Sequence, residues 1–187
     1  MNAVLKPTPV KRVLLLGAGT CHDKRVKFEA SPEPDFKSCN LVTCDIDPDV
    51  SPDVVLDLDH LPYPWADNEF DEVHAYEVLE HCGPQGDGKF FFGQFAEFWR
   101  ILKPGGYMMI SVPMWDDMVA WGVPDHKRVL PSCIFNFLSP EYYKNVGRPG
   151  YADYRKLLGT TNFYPLGAEE KGQSLYVVLR AIKDAHP

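Results

Sequence analysis

Apolar residues in this chain gather in short runs that each stop at a glycine, an acidic residue or a proline, a punctuation that predicts buried strands. Residues 13–16 run apolar up to Gly17, residues 40–44 are mainly apolar up to Asp45, and residues 53–56 lead to Asp57. A fourth run over 72–76 follows a turn at Asp67, Asn68 and Glu69, and a fifth over 107–112 ends at Pro113. Residues 174–182 supply a late strand near the C-terminus. Between the fourth and fifth runs, Phe91, Phe95, Phe98 and Leu102 recur at helical spacing within 89–102, and Pro104, Gly105 and Gly106 stop that helix. This spacing explains the four residues as core. The alternation of strand runs with helical spacing predicts an α/β fold, an open, doubly wound and mostly parallel sheet.

The connections are shorter than such a sheet usually carries. Pro32 and Pro34 break any long helix after the first strand, and few residues separate Asp45 from Asp53, so the crossover helices are reduced. A chain of 187 residues forms one domain. Within it we read 1–113 as a ligand-binding core, 114–170 as a substrate-side insertion and 171–187 as the C-terminal strand. The insertion holds Trp115, Trp121, Tyr142, Tyr143 and five prolines, a mixture suited to covering a substrate rather than to a regular βα unit.

Composition narrows the function. Hydrophobic residues make up 45% and charged residues 24%, values of a folding globular chain. Lys and Arg number 19 against 26 Asp and Glu, and the net charge of -7 disfavours a nucleic-acid or anionic-membrane partner. No apolar run spans a bilayer and the N-terminal residues lack the apolar stretch of a secretory signal, so a cytoplasmic location is expected. Cys21, Cys39, Cys44, Cys82 and Cys133 are odd in number and match no zinc spacing, which predicts free structural thiols.

Ligands of doubly wound sheets sit beyond the carboxyl ends of the strands, and here those ends are chemically marked. Gly17-Ala18-Gly19 allows a tight turn and close backbone approach after the first strand. Asp45 can accept hydrogen bonds from both hydroxyls of a ribose. Asp57 can accept from the amine of an adenine, with Ile46 and Leu58 against the ring faces. Together the three strand ends describe one adenosine.

With VLLLGAGT, LVTCDIDP, DLDHLPYPWADNEFDEVHAYEVLEH and FWRILKPGGYMMISVP in that order over roughly residues 12–113, the chain resembles the class I S-adenosylmethionine-dependent methyltransferases. The resemblance implies a Rossmann-like methyltransferase fold with an antiparallel edge strand, and S-adenosylmethionine as cofactor. It assigns Gly17, Ala18 and Gly19 to the methionine and ribose parts, Asp45 to the ribose hydroxyls, and Asp57 and Leu58 to the adenine. Tyr76 and Glu77 would line the cofactor through their backbone or side chains near its sulfonium. Two departures stand in the first motif: Leu15 where an acidic residue is common, and Cys21 at the third glycine position. Lys24, Arg25 and Lys27 either pair with the cofactor's carboxylate or form a solvated face, and the second reading is favoured for an unpatterned cluster.

Methyl transfer is an in-line displacement on an activated donor, so alignment and exclusion of water are the protein's main contributions. For a hydroxyl acceptor His81 is the candidate general base, its rival reading being a structural histidine bonded to Glu80. His126 either faces substrate or sits in a surface turn. Trp115 and Trp121 flank a substrate mouth or serve lid packing. Glu77, Glu80 and His81 fall short of a full ligand set, so no metal is expected. The acceptor is expected to be a small molecule. AYEVLEH stands where amino-methylating DNA enzymes carry (D/N)PP(Y/F). A nicotinamide-dependent oxidoreductase is the competing enzyme class, although GAGTCH lacks the last glycine of GxGxxG. A non-catalytic adenosine-cofactor-binding module is the third reading.

Overall fold

The computed structural model describes residues 10–22 and 38–183. Among these residues seven strands form one sheet: β1 Arg12–Leu16, β2 Asn40–Asp45, β3 Val54–Val55, β4 Phe70–Tyr76, β5 Leu102–Pro113, β6 Phe163–Lys171 and β7 Ser174–Ala181. Their spatial order is β3-β2-β1-β4-β5-β7-β6. The first five strands run parallel, and β7 and β6 close the sheet antiparallel. The open, mostly parallel sheet and its antiparallel edge agree with expectation. Strand order reverses between β1 and β4, the switch point at which sheets of this kind place a ligand crevice.

Registers place the polar strand ends on one edge. Leu16 lies beside Cys44 and Ala75, and Cys44 beside Val54, so Gly17, Asp45, Asp57 and Glu77 all leave the sheet on the same side. The central run of β1 is buried on both faces, the burial a mostly parallel sheet imposes on its middle strand. The third strand is shorter than the expected 53–56, pairing only through Val54 and Val55.

Among the described residues one long helix packs on the sheet, α1 over Gly88–Ile101. Asp87 caps it by accepting from the Phe90 amide at 2.9 Å. It ends one residue before the expected Leu102, because Leu102 turns extended and pairs with Phe70. Phe91, Phe95, Phe98 and Leu102 are buried in the main core as the spacing requires. The PGG stretch belongs to β5 rather than to a separate turn: a Cβ on Gly106 would stand 2.9 Å from the Asp71 carbonyl oxygen, so only glycine lets β5 approach β4 there.

Two further elements are short, α2 over Met118–Gly122 and α3 over Arg155–Leu158. The connection from β2 to β3 holds only a 3-10 turn, Pro48–Val50, in keeping with a reduced crossover. The proline-interrupted helix expected around Pro32 and Pro34, and the cations Lys24, Arg25 and Lys27, lie outside the described residues. Strand β6 was not expected. It begins within the stretch read as an insertion, and its exposed, polar sequence lacks the apolar signal of a buried strand.

The second face of the sheet carries a buried polar row. Glu72, His74 and Tyr76 sit two apart on β4 and so share a face. His74 Nε2 lies 3.0 Å from Glu72 Oε2, its Nδ1 lies 2.6 Å from the Tyr76 hydroxyl, and Lys11 Nζ donates to Glu72 Oε1. Burial pushes the His74 pKa below its ordinary 6.5. Burial opposes the charge on Glu72, but hydrogen bonds from His74 and Lys11 outweigh it and hold that carboxyl below its ordinary 4.5. Neutral His74 therefore donates from Nε2 to the carboxylate and accepts from Tyr76 at Nδ1. Below pH 6.5 the unfolded chain takes up the histidine proton first, and below pH 4.5 the glutamate proton, so stability falls with pH across both windows. Between pH 7.5 and pH 4, the melting temperature of the natural chain is expected to decline relative to that of His74→Gln from about pH 6.5 downward. The comparison isolates His74 because every other titrating group, including buried Glu80 with its pKa raised to about 8, is common to both chains. A decline identical in the variant would refute the assignment.

Candidate functional site

The turn after β1 is built by two glycines with positive φ, Gly17 at 60° and Gly19 at 55°. A Cβ on Gly17 would stand 2.6 Å from Val78 Cγ2 and 2.7 Å from Val78 Cβ, so the bare backbone is what lets this turn meet the loop after β4. The Ala18 amide donates to the Cys44 carbonyl at 3.1 Å, tying the turn to β2. The Gly19 amide donates to Asp45 Oδ2 at 2.7 Å, and the Asp47 amide to Asp45 Oδ1 at 3.0 Å. Each Asp45 oxygen thus spends one acceptor site on its own loop and has another for a ligand.

Beside this turn lies a hollow of about 100 Å³. Gly17, Asp45, Ile46, Asp57, Leu58 and His81 line it, six of the residues expected from the strand ends and the resemblance. Asp57 is held by the Asp59 amide at 2.9 Å and by His60 Nδ1 at 3.0 Å. Ala18 and Gly19 shape the adjoining turn. Tyr76 and Glu77 are not brought to the hollow: the pleat of β4 turns Tyr76 onto the opposite face beside His74, and Glu77 is exposed with φ 51° while its amide donates to the Ser111 carbonyl at 2.9 Å.

Sequence reading missed Cys44, Leu56, Asp59, Val78, Cys82 and Lys127, which complete the lining. Asp59 accepts from the Gly83 amide at 2.8 Å and from Lys127 Nζ at 2.7 Å. Burial works against its charge, but those donors prevail and keep its pKa below the ordinary value. The DLD spacing signals a second carboxylate, since residues two apart in a turn can reach one loop. Nothing local signals Lys127. Cys44 and Cys82 are pushed up to about 12 and about 11 by burial, so both stay protonated thiols. All five cysteines are free.

The loop after β4 and the segment at 125–129 are stitched together. The Glu80 carbonyl accepts from the Lys127 and Arg128 amides at 2.8 and 3.1 Å, and buried Arg128 donates from Nε to the Leu79 carbonyl at 2.8 Å. His81 Nδ1 lies 3.1 Å from Asp125 Oδ2, and its Nε2 is 3.9 Å from Glu80 Oε1. The His126 ring meets the His81 ring edge-on at 4.8 Å. His126 is therefore neither a plain surface residue nor part of the hollow's lining. Glu80 is 2% exposed, and its pKa is raised to about 8, chiefly by burial, with Glu77's like charge adding to it.

A larger, mainly apolar cavity of about 430 Å³ lies between the turn at 84–89, the Phe91 and Phe92 rings, and residues 128–137 with Tyr154 and Leu157. Its walls and those of the hollow come from consecutive residues: His81 and Cys82 lead to Pro84, and Lys127 leads to Arg128. Trp115 and Trp121 line neither space. They stand 56% and 65% exposed, joined by a hydrogen bond from Trp121 Nε1 to the Trp115 carbonyl at 2.8 Å.

Comparison with known proteins bears on this geometry. Residues 29–110 match the model of a methyltransferase domain family. None of the curated proteins compared matches the chain. Among solved structures, a complex of the Haloferax volcanii Trm112 methyltransferase activator with a methyltransferase aligns at TM-score 0.57 and 14% identity, covering 95% of this chain and 86% of that one. A SAM-dependent methyltransferase from Archaeoglobus fulgidus aligns at 0.56 and 15%, covering 91% and 86%. The N-methyltransferase NodS from Bradyrhizobium japonicum WM9, in complex with S-adenosyl-L-homocysteine, aligns at 0.55 and 15%, covering 93% and 79%. At such identities the structural likeness is one of fold, while the matched segment spans Asp45, Asp57, the loop after β4 and α1. In its matched segment, residues 29–110, and in this Rossmann-like architecture, the chain is similar to the class I S-adenosylmethionine-dependent methyltransferases.

Proposed function

We propose that this chain binds S-adenosylmethionine in the hollow at the strand ends and methylates a small-molecule acceptor. The observation that carries the reading is the gathering of Gly17, Asp45, Ile46, Asp57 and Leu58 around one space. The residues suit the group: Asp45 has acceptor capacity beyond its two loop amides, and Gly17, where Val78 leaves no room for a Cβ, presents bare backbone to a ligand. When bound, S-adenosylmethionine supplies a methyl group activated on a sulfonium.

The chain's own residues then have separable tasks. Asp45 accepts from the ribose hydroxyls, Asp57 accepts from the adenine amine, and Ile46 and Leu58 cover the ring faces. The turn of Gly17, Ala18 and Gly19 borders the ribose and methionine parts. Tyr76 and Glu77 contribute at most through backbone, given where their side chains stand. The Lys127–Asp59 pair holds the segment after residue 124 against the rim and limits water entry. His81 is the residue we assign to the acceptor side.

A small acceptor is supported by the neighbouring cavity, whose apolar walls suit the body of a compact organic molecule, and by the charge of -7, which opposes polyanions. Residues 114–170 supply part of that cavity and are read as the acceptor-side cover of a single domain. Among the described residues no helix is long and apolar enough to cross a membrane. Free cysteines favour a reducing, cytoplasmic setting.

Calorimetric titration with S-adenosylmethionine, S-adenosylhomocysteine and NAD tests the donor reading. One site per chain for the two sulfur nucleosides, with NAD weaker by at least about tenfold, is expected. NAD binding of equal strength would return the oxidoreductase reading to the front.

A further inference from the structure

We propose that Glu80, His81 and His126 form a site for a divalent transition-metal ion, and that its open position takes a hydroxyl oxygen of the methyl acceptor. The site extends the proposed methyltransferase reading and rests on it for the second half of the claim. One ligand atom from each of the three residues lies within 4.8 Å of the others. Ligand atoms about 2.0–2.2 Å from one tetrahedral ion stand roughly 3.3–3.6 Å apart, so even the widest of these separations needs to shorten by only roughly 1.2–1.5 Å, within the reach of side-chain rotation.

Two of the three donors are orphaned in a way an ion would resolve. Glu80 is 2% exposed, yet its Oε2 has no hydrogen-bond partner, and Nδ1 of His126 is likewise buried and unpartnered. Native interiors rarely leave such atoms unsatisfied. The third donor is already oriented: Asp125 Oδ2 sits 3.1 Å from His81 Nδ1, leaving Nε2 to point toward Glu80, 3.9 Å away. A carboxylate behind one ring nitrogen and a metal on the other is the usual arrangement of a ligating histidine.

His126 is what sequence counting lacked when Glu77, Glu80 and His81 fell short of a ligand set. The fold delivers it by bonding the Lys127 and Arg128 amides to the Glu80 carbonyl. Two imidazoles with one carboxylate favour zinc, manganese, iron or cobalt over magnesium or calcium, which prefer oxygen ligands. With three protein ligands a position stays open, and His81 lines the donor hollow.

The chemistry balances with what the reading already supplies. The ion coordinates the acceptor oxygen and lowers its pKa, and the hydroxyl proton leaves to water. The oxygen then forms a bond to the methyl carbon as the carbon–sulfur bond breaks, its electron pair remaining on sulfur. The products are a methyl ether and the thioether. His81 serves here as a ligand and not as the proton acceptor.

Cobalt(II) titrated into the chelator-treated full chain, followed by visible absorption and calorimetry without any nucleoside, tests the site. One ion per chain with nitrogen-ligand absorption is expected. His126→Ala and Glu80→Gln should each weaken binding at least about tenfold, with melting curves reporting whether each variant is folded. A natural chain that binds no cobalt, zinc or manganese, or a folded His126→Ala that binds as tightly, overturns the proposal. S-adenosylhomocysteine is titrated separately. Metal binding without nucleoside binding removes the donor reading and the acceptor role while the metal site stands, and nucleoside binding without metal removes only the site.

Discussion

Asp45→Ala is expected to lower affinity for S-adenosylhomocysteine by at least about 100-fold, the loss of two hydrogen bonds to a charged acceptor worth roughly 1.5–3 kcal/mol each. The structure adds a second cause. The same carboxylate holds the Gly19 and Asp47 amides, so its removal frees the glycine turn as well as the ribose. Asp45→Asn separates the two: the amide keeps the size and one acceptor oxygen but presents an NH2 to either a backbone donor or a ribose hydroxyl. It should retain most of the melting temperature and still lose at least about tenfold in affinity. Calorimetry on both variants decides. Affinities within a factor of about three of the natural chain would remove Asp45 from the ligand site and with it the adenosine reading.

The largest effect on stability is expected from Phe95→Ala, at roughly 3–5 kcal/mol. Phe95 is wholly buried, and its ring meets Phe91 at 4.9 Å, Phe98 at 5.6 Å, Phe135 at 5.9 Å and Phe163 at 6.5 Å between centroids. Those partners come from α1, from the 3-10 turn Ser132–Leu138 and from β6. One side chain therefore fastens the helix, the stretch after β5 and the edge hairpin together. Against a total of about 5–15 kcal/mol, its loss should leave the chain partly unfolded at 37 °C, measurable by urea denaturation. Phe95→Leu should cost clearly less because it leaves a smaller void. A change under about 1 kcal/mol in Phe95→Ala would mean that the three elements pack independently.

Legibility followed the source of each signal. The apolar run 13–16 and the acid at 45 could be read because a buried parallel strand needs neighbours of its own kind in sequence, and its polar terminator is adjacent. The phenylalanine face of α1 was legible for the same reason, since every turn brings the next member within four residues. Tyr76 was assigned to the cofactor by motif position, yet the two-residue period of β4 sends it with Glu72 and His74 to the far face. The face taken by its side chain was readable from parity alone. Strand β6 was not readable: as an edge strand it pairs on one side only, and Glu169, Glu170 and Lys171 carry none of the apolar demand of a buried run.

By itself, the sequence determined the strand ends of an α/β sheet and the buried face of α1, and it pointed to the class of nucleoside proposed for Gly17, Asp45 and Asp57, because each is written in residues close together in the chain. Only the tertiary structure decided that those three residues share one hollow, that Lys127 reaches Asp59, and that His126 stands beside Glu80 and His81. The reason is that side chains remote in sequence meet through backbone hydrogen bonds and packing. The bonds from residues 127 and 128 to the Glu80 carbonyl leave no periodic trace in the order of amino acids.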